Sequence, residues 1–280
     1  MVKYILVAIF IIILITIFIY YENNVIDETK VNIINKKIPK NFNGYKIIHI
    51  SDLHSKSFGY KQKRLVDRIK SNRPDLIFIT GDFVDSRNYD EKPCLALIKE
   101  IKNIAPIYYV TGNHESRSGK SKEFCNKLSK FGVNILLDKY EYISLGEDRL
   151  NIFGIFDASV KIRDSKREIE TRVNEKLDKI KGIRETELRI LLAHRPEYFK
   201  NYKEAGFDII FSGHAHGGQW RLPIIGGLMA PAQGWFPKYT SGVHVEDGKQ
   251  LIISRGLGNS AFPIRLFNHP ELIIVNLKDK

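Results

Sequence analysis

Five short apolar runs in this chain end in the same polar vocabulary. YKIIHI (45–50) leads to Asp52-Leu53-His54, DLIFIT (75–80) to Gly81-Asp82, and PIYYVT (106–111) to Gly112-Asn113-His114-Glu115. LRILLA (188–193) leads to His194, and DIIF (208–211) to Ser212-Gly213-His214-Ala215-His216. Runs this short and apolar read as buried strands, and segments of helical periodicity separate them. Leu65, Val66 and Ile69 share one helical face; a helix opened by Pro93 carries Leu97, Ile98, Ile101 and Ile104. Ser121 is placed to cap a helix running to Lys130, with Gly132 stopping it, and Ile169, Val173, Leu177 and Ile180 mark another face. The alternation predicts one mixed α/β domain over residues 45–280, its sheet covered on at least one face. In open α/β sheets, sites form beyond the carboxyl ends of the strands, where these polar residues fall.

Each polar residue has a plain structural explanation. Asp82 after a glycine suits an Asx-turn, Asn113 suits a turn with positive φ, and His194 suits a satisfied core histidine. His214 and His216 could be loop histidines, with glycines that let the backbone bend. Their co-occurrence at successive strand ends points elsewhere. Carboxylate, amide oxygen and imidazole are all metal-ligand types, and no sulfur joins them, which suits divalent Mn, Fe or Zn. The donors are too many for one ion; two ions sharing a bridging carboxylate would use them all. Cys94 and Cys125 fall in predicted helices without a metal spacing and read as buried free thiols.

The chain has 280 residues, 43% apolar and 27% charged, with a net charge of +12. Residues 4–21, YILVAIFIIILITIFIYY, carry no charge, Gly or Pro and nearly span a bilayer core. No small-residue cleavage site follows, so 1–21 reads as an uncleaved transmembrane anchor, and the polar, Asn/Lys-rich 22–44 as a tether. Lys3 and the amino terminus favour an inside tail and a domain outside the cytoplasm, a bias blunted by Lys30, Lys36, Lys37 and Lys40. The basic surplus admits nucleic acid, an anionic membrane surface or a phosphate-bearing substrate. The bilayer needs no further assumption in an anchored protein, and no aromatic-interleaved basic motif speaks for nucleic acid.

The blocks DxH, GDxxD, GNHE, a lone His and GHxH, in this order, resemble the calcineurin-like metallophosphoesterase superfamily. The later runs GHAHGGQWRLP, SRGLGNSAFPIR and PELIIVNL are similar to a branch of membrane-anchored bacterial phosphodiesterases related to UDP-2,3-diacylglucosamine pyrophosphatases. The resemblance implies a two-sheet sandwich flanked by helices. It also implies that Asp52, His54 and His216 hold one metal and Asn113, His194 and His214 the other, with Asp82 bridging both. His114 would act as acid to the leaving oxygen, or steady the phosphate, with Asp85 orienting it. Protein phosphatases of the superfamily follow GDxVD with Arg-Gly; here Ser86-Arg87 stand instead, which argues against a phosphoprotein substrate.

The expected activity is hydrolysis of a phosphodiester or pyrophosphate bond at the membrane, through a water deprotonated on two divalent ions. A lipid-linked or envelope substrate fits the anchor, with Trp220, Leu222, Trp235 and Phe236 as candidates for an acyl-facing wall and core packing as their alternative. The rivals are a phosphodiesterase or nuclease acting on soluble substrates, and a non-catalytic metal-binding membrane protein.

Overall fold

The computed structural model describes residues 1–159, 164–182, 184–260 and 262–279. The first sheet contains β1 (Asp27–Ile34), β2 (Lys46–Ile50), β3 (Leu76–Thr80), β4 (Ile107–Val110) and β5 (Asn134–Ile135). The second contains β6 (Lys139–Leu145), β7 (Asp148–Gly154), β8 (Arg189–Leu192), β9 (Ile209–Ser212), β10 (Gly242–Glu246) and β11 (Lys249–Ile253). The last strand, β12 (Glu271–Lys278), returns to the first sheet between β1 and β2. β2, β3 and β4 run parallel in one sheet and β7, β8 and β9 parallel in the other.

Alternation along each strand decides which side faces what. Ile47, Leu76, Phe78, Ile190, Leu192, Ile209 and Phe211 meet in a core containing inward side chains of both sheets. Their neighbours Ile48, Ile77 and Ile79 pack instead with Leu65, Ile69, Leu97, Ile98, Phe124 and Leu128, which come from α2 (Lys63–Asn72), α3 (Lys92–Ile101) and α5 (Ser121–Lys130). On the far side, Leu191 and Ile210 pack with Ile169, Val173, Phe199 and Tyr202 of α6 (Lys166–Ile180) and α7 (Phe199–Glu204). The result is the expected two-sheet sandwich flanked by helices. Ser165 and Glu168 close a capping box on α6. Ser121, expected as a cap, is the first residue of α5; its cap position is Lys120, with no side-chain bond. Cys94 and Cys125 are free and buried.

Residues 22–44 differ from the free tether expected of them. β1 pairs in parallel with β12 along its whole length, from Asp27 opposite Glu271 to Ile34 opposite Lys278. Ile26, Ile33, Ile38 and Phe42 are buried in the domain. A polar edge strand with few inward residues has the composition of a linker, which hides it in the sequence. The apolar helix α1 (Val2–Asn24) precedes it directly. None of its apolar window is buried in the domain, and its length and composition suffice to cross a membrane.

Candidate metal centre

The carboxyl ends of β2, β3, β8 and β9 and the loop after β4 converge. Asp52, His54, Asp82 and His216 form one buried group of facing donor atoms, and Asp82, His194 and His214 form a second. Asp82 is the carboxylate common to both. His54 Nε2 lies 3.1 Å from His216 Nε2, and His216 Nε2 lies 3.4 Å from Asp52 Oδ1. His194 Nε2 lies 3.2 Å from Asp82 Oδ2 and 3.1 Å from His214 Nδ1. Asn113 is buried at the start of the short helix α4 (Asn113–Arg117), and its side-chain oxygen has no hydrogen-bond partner. His114 is in neither group; with His54 and Asp85 it forms a third, less buried set of facing donor atoms.

The backbone is held in an uncommon conformation to achieve this. Asp52, His54, Asp82, His214 and His216 all have positive φ, between 46° and 66°. Non-glycine residues rarely adopt such values, and they concentrate where a site requires them. Gly213 in the last block is required by close packing: a Cβ there would lie 1.9 Å from Ser51 Oγ and 2.1 Å from Asp52 Oδ2. A Cβ on Gly112 would likewise lie 2.3 Å from Asp82 Oδ1.

Burial and mutual charge sort the protons among these groups. Burial alone would discharge Asp82, but His194, His114 and His54 outweigh it and hold its carboxyl well below the usual range. Burial likewise opposes charge on His194, yet Asp82 and Asp52 carry its ring to about 10. Burial, then Arg195, keeps His214 neutral; burial, then His54, keeps His216 neutral. His214 and His216 neutral and Asp82 ionised despite burial are in the protonation states metal ligands need. His194 Nδ1 lies 2.7 Å from the Thr80 carbonyl and donates there, so a bound cation would displace only the Nε2 proton that faces Asp82. Lone pairs crowded this closely, with the orphaned Asn113 oxygen, fit a pair of divalent cations.

Two supporting features escaped the sequence reading, and a third, at the rim, refines one it held. The buried Glu115 carboxylate accepts from the backbone N–H groups of Asp82 (2.9 Å), Phe83 (2.7 Å), Val84 (2.9 Å) and Gly112 (2.7 Å). It ties the loop after β3 to the loop after β4; the signal was its place in GNHE. Behind His214 lies a buried ion cluster, where Arg195 Nε donates to Asp157 Oδ2 at 2.7 Å and Arg195 Nη1 lies 3.2 Å from His214 Nε2. At the rim, His114 Nδ1 is contested. Asp85 Oδ1 is 3.3 Å away, while the Ser86 N–H donates to the same nitrogen at 3.0 Å. Asp85 is also gripped by Arg87, whose backbone N–H and Nε donate to Oδ1 at 2.8 and 2.9 Å. Arg87 in turn donates to the Ser260 carbonyl at 3.0 Å, and His54, Lys56, Asp85, Arg87, Asn259 and Ser260 line a shallow cavity. Leu222, Trp235 and Phe236 are exposed, which excludes core packing for them; Trp220 is partly covered.

Known proteins resemble this chain in sequence and fold. The uncharacterized metallophosphoesterase YkuE of Bacillus subtilis (strain 168) is 25% identical over 264 residues, 92% of this chain and 88% of its own. Phosphodiesterase YaeI of Escherichia coli (strain K12) is 24% identical, covering 83% of this chain and 82% of its own. The crystal structure of phosphopantetheinyl hydrolase from Mycobacterium tuberculosis has the same fold, with a TM-score of 0.51 at 14% identity over 77% of this chain and 91% of that one. Residues 45–218, from the first strand of the site through its last histidine, match the calcineurin-like phosphoesterase family, and the chain therefore belongs to that family of metal-dependent hydrolases.

Proposed function

We propose that this protein is a membrane-held, binuclear phosphodiesterase or pyrophosphatase acting on a lipid-linked or envelope substrate. The observation that carries the reading is the pair of buried donor groups that share Asp82. Asp52, His54 and His216 would hold one ion, and Asn113, His194 and His214 the other. When bound, two divalent ions lower the pKa of water and neutralise phosphoryl charge. The chain's own residues do the remainder. His114, outside both donor groups, gives a proton to the leaving oxygen from Nε2. Asp85 orients its ring by accepting from Nδ1–H, and Arg87, positioned by Asp85, meets a phosphoryl oxygen at the rim.

The lipid-linked substrate is supported by the apolar α1 and by the resemblance to membrane-anchored phosphodiesterases, including UDP-2,3-diacylglucosamine pyrophosphatases. A relative that bears the name phosphodiesterase supports the diester bond, not the lipid, part of the reading. The test is hydrolysis of bis-p-nitrophenyl phosphate by the full chain, followed by a panel of phosphodiester lipids, sugar nucleotides and mononucleotides. Turnover that EDTA abolishes and Mn restores, with a preference for lipid, is expected. A clear preference for soluble nucleotide or nucleic acid over every lipid would replace the substrate assignment with the soluble one.

A further inference from the structure

One face of the domain carries none of the metal donors. After His216 the chain forms two small hairpins, pairing Arg221 and Leu222 with Gly227 and Gly226, and Met229 and Ala230 with Trp235 and Gly234. Their turns and ends present apolar side chains to solvent. Ile224 is fully exposed, Trp235 is 66% and Phe236 68% exposed, and Leu222 and Ile225 are open as well. Ile224 also has φ of 72°, a genuine outlier for a β-branched residue, so this tip presents an isoleucine in spite of backbone strain. Beside the hairpins, the loop before β12 exposes Phe262, Ile264 and Phe267. An apolar surface of this kind on one face is a mark of interaction.

The contacts of this face with α1 identify what covers it. Phe267 packs on Phe18 of α1, with ring centroids 5.9 Å apart, and Tyr21 packs on His269 at 5.2 Å. Leu266 bridges to Trp220, and the Arg221 N–H donates to the Leu266 carbonyl at 3.0 Å. Hairpins, loop and helix are therefore contiguous. The end of α1 is also fixed in the domain. Glu22 and Asn23 are buried, Glu22 Oε1 pairs with His269 Nε2 at 3.1 Å, and the Arg265 N–H donates to Asn23 Oδ1 at 3.2 Å. Lys56 and Arg64 donate to the terminal carbonyls of Asn23 and Asn24. Phe18 lies three residues inside the end of the apolar run at Tyr21, about 4.5 Å along the helix axis. If α1 spans a bilayer, Phe267 meets it at the level where hydrocarbon begins.

We propose that the hairpins over 219–236 and the loop over 262–267 form a second membrane contact, bedded in the leaflet that α1 leaves. The inference rests on the membrane reading above and deepens it, because it sets the position of the site. Asn268 Nδ2 donates to the His216 carbonyl at 2.8 Å, while the Asn268 N–H donates to Glu22 Oε2 at 3.3 Å. One residue thus joins a metal-ligand loop to the end of the anchor. With both contacts in one leaflet, the domain cannot swing away, and the metal cleft is held at headgroup level. The substrate class is then a lipid whose phosphodiester lies in the headgroup layer, taken without leaving the bilayer. Helical surfaces of comparable character embed about 5–10 Å into this boundary.

The chain's only two tryptophans, Trp220 and Trp235, both lie on this face, so native emission reports it. The full chain is reconstituted in phosphatidylcholine–phosphatidylglycerol vesicles, with and without lipids brominated near the headgroup end of the acyl chains. Bromine should quench a large part of the emission, and aqueous acrylamide should quench little of it. The I224D/I225D double variant should lose most of the bromine quenching. It should also fall on the order of tenfold in kcat/KM for a phosphodiester lipid in vesicles, with bis-p-nitrophenyl phosphate turnover unchanged. Protein that floats with vesicles after alkaline washing, yet shows bromine-insensitive, acrylamide-accessible tryptophan, overturns the second contact and leaves the anchor standing. Emission shielded from both quenchers, with a concentration-dependent dimer, assigns the face to a second copy and overturns the proposal. Failure to float overturns anchor and contact together, and failure to hydrolyse the soluble diester would instead count against the catalytic reading.

Discussion

At the scale of single residues, the site divides into donors, a proton carrier and the groups that hold them. His114 belongs to neither donor group around Asp82 but faces His54 and Asp85 in a third, less buried one; as the acid rather than a ligand, His114→Ala should keep its metal and lose kcat on the order of 10²–10⁴-fold. Metal analysis and steady-state rates check this; an empty site in that variant would make His114 a ligand. Burial opposes charge on the His114 ring, but Asp82 and Asp85 outweigh it and raise its pKa. An acid works only while protonated, and its activity is lost as pH rises through its pKa. Asp85→Asn removes a nearby negative charge and lowers that pKa, so the alkaline limb of kcat should move about one pH unit lower. An unmoved limb would mean that the Ser86 N–H, not Asp85, governs Nδ1. Glu115 binds four backbone N–H groups with one buried carboxylate. Glu115→Gln brings an amide donor against those donors and should cost about 2–3 kcal/mol of stability, read by urea titration of the metal-loaded protein. A change within error would show that the loops hold themselves.

At the scale of elements, the strands of the site were legible because their apolar runs are short and their ends polar. The helices were legible because Leu65, Ile69, Ile169, Val173 and their like repeat at helical spacing. The edge strand β1 was not, since only Ile33 of its eight residues is fully buried and its pairing partner lies more than 240 residues away. Glu115 was hidden for a different reason: its partners are backbone amides, which sequence does not mark. Ile33→Ala tests the corrected element. Its side chain is buried with the core between the sheets, so the change should cost about 2–5 kcal/mol in the denaturation midpoint analysis. A free tether would tolerate it within about 0.5 kcal/mol.

For the molecule as a whole, two sheets bring their strand ends together to concentrate buried donors around Asp82, and an apolar helix is built onto the same domain. Charges assembled in this way are unfavourable without cations, so metal should be part of the fold as well as of the chemistry. Chelation is expected to lower the thermal midpoint of the full chain, and Mn to restore it. The most direct measurement is metal stoichiometry against turnover, for the wild type and for Asp82→Asn. The wild type should hold two ions per chain when fully active on bis-p-nitrophenyl phosphate, and Asp82→Asn, which lacks the shared charge, should lose metal and rate together. Full hydrolysis by rigorously metal-free protein, or an Asp82→Asn variant that keeps both its ions and its rate, would contradict the account.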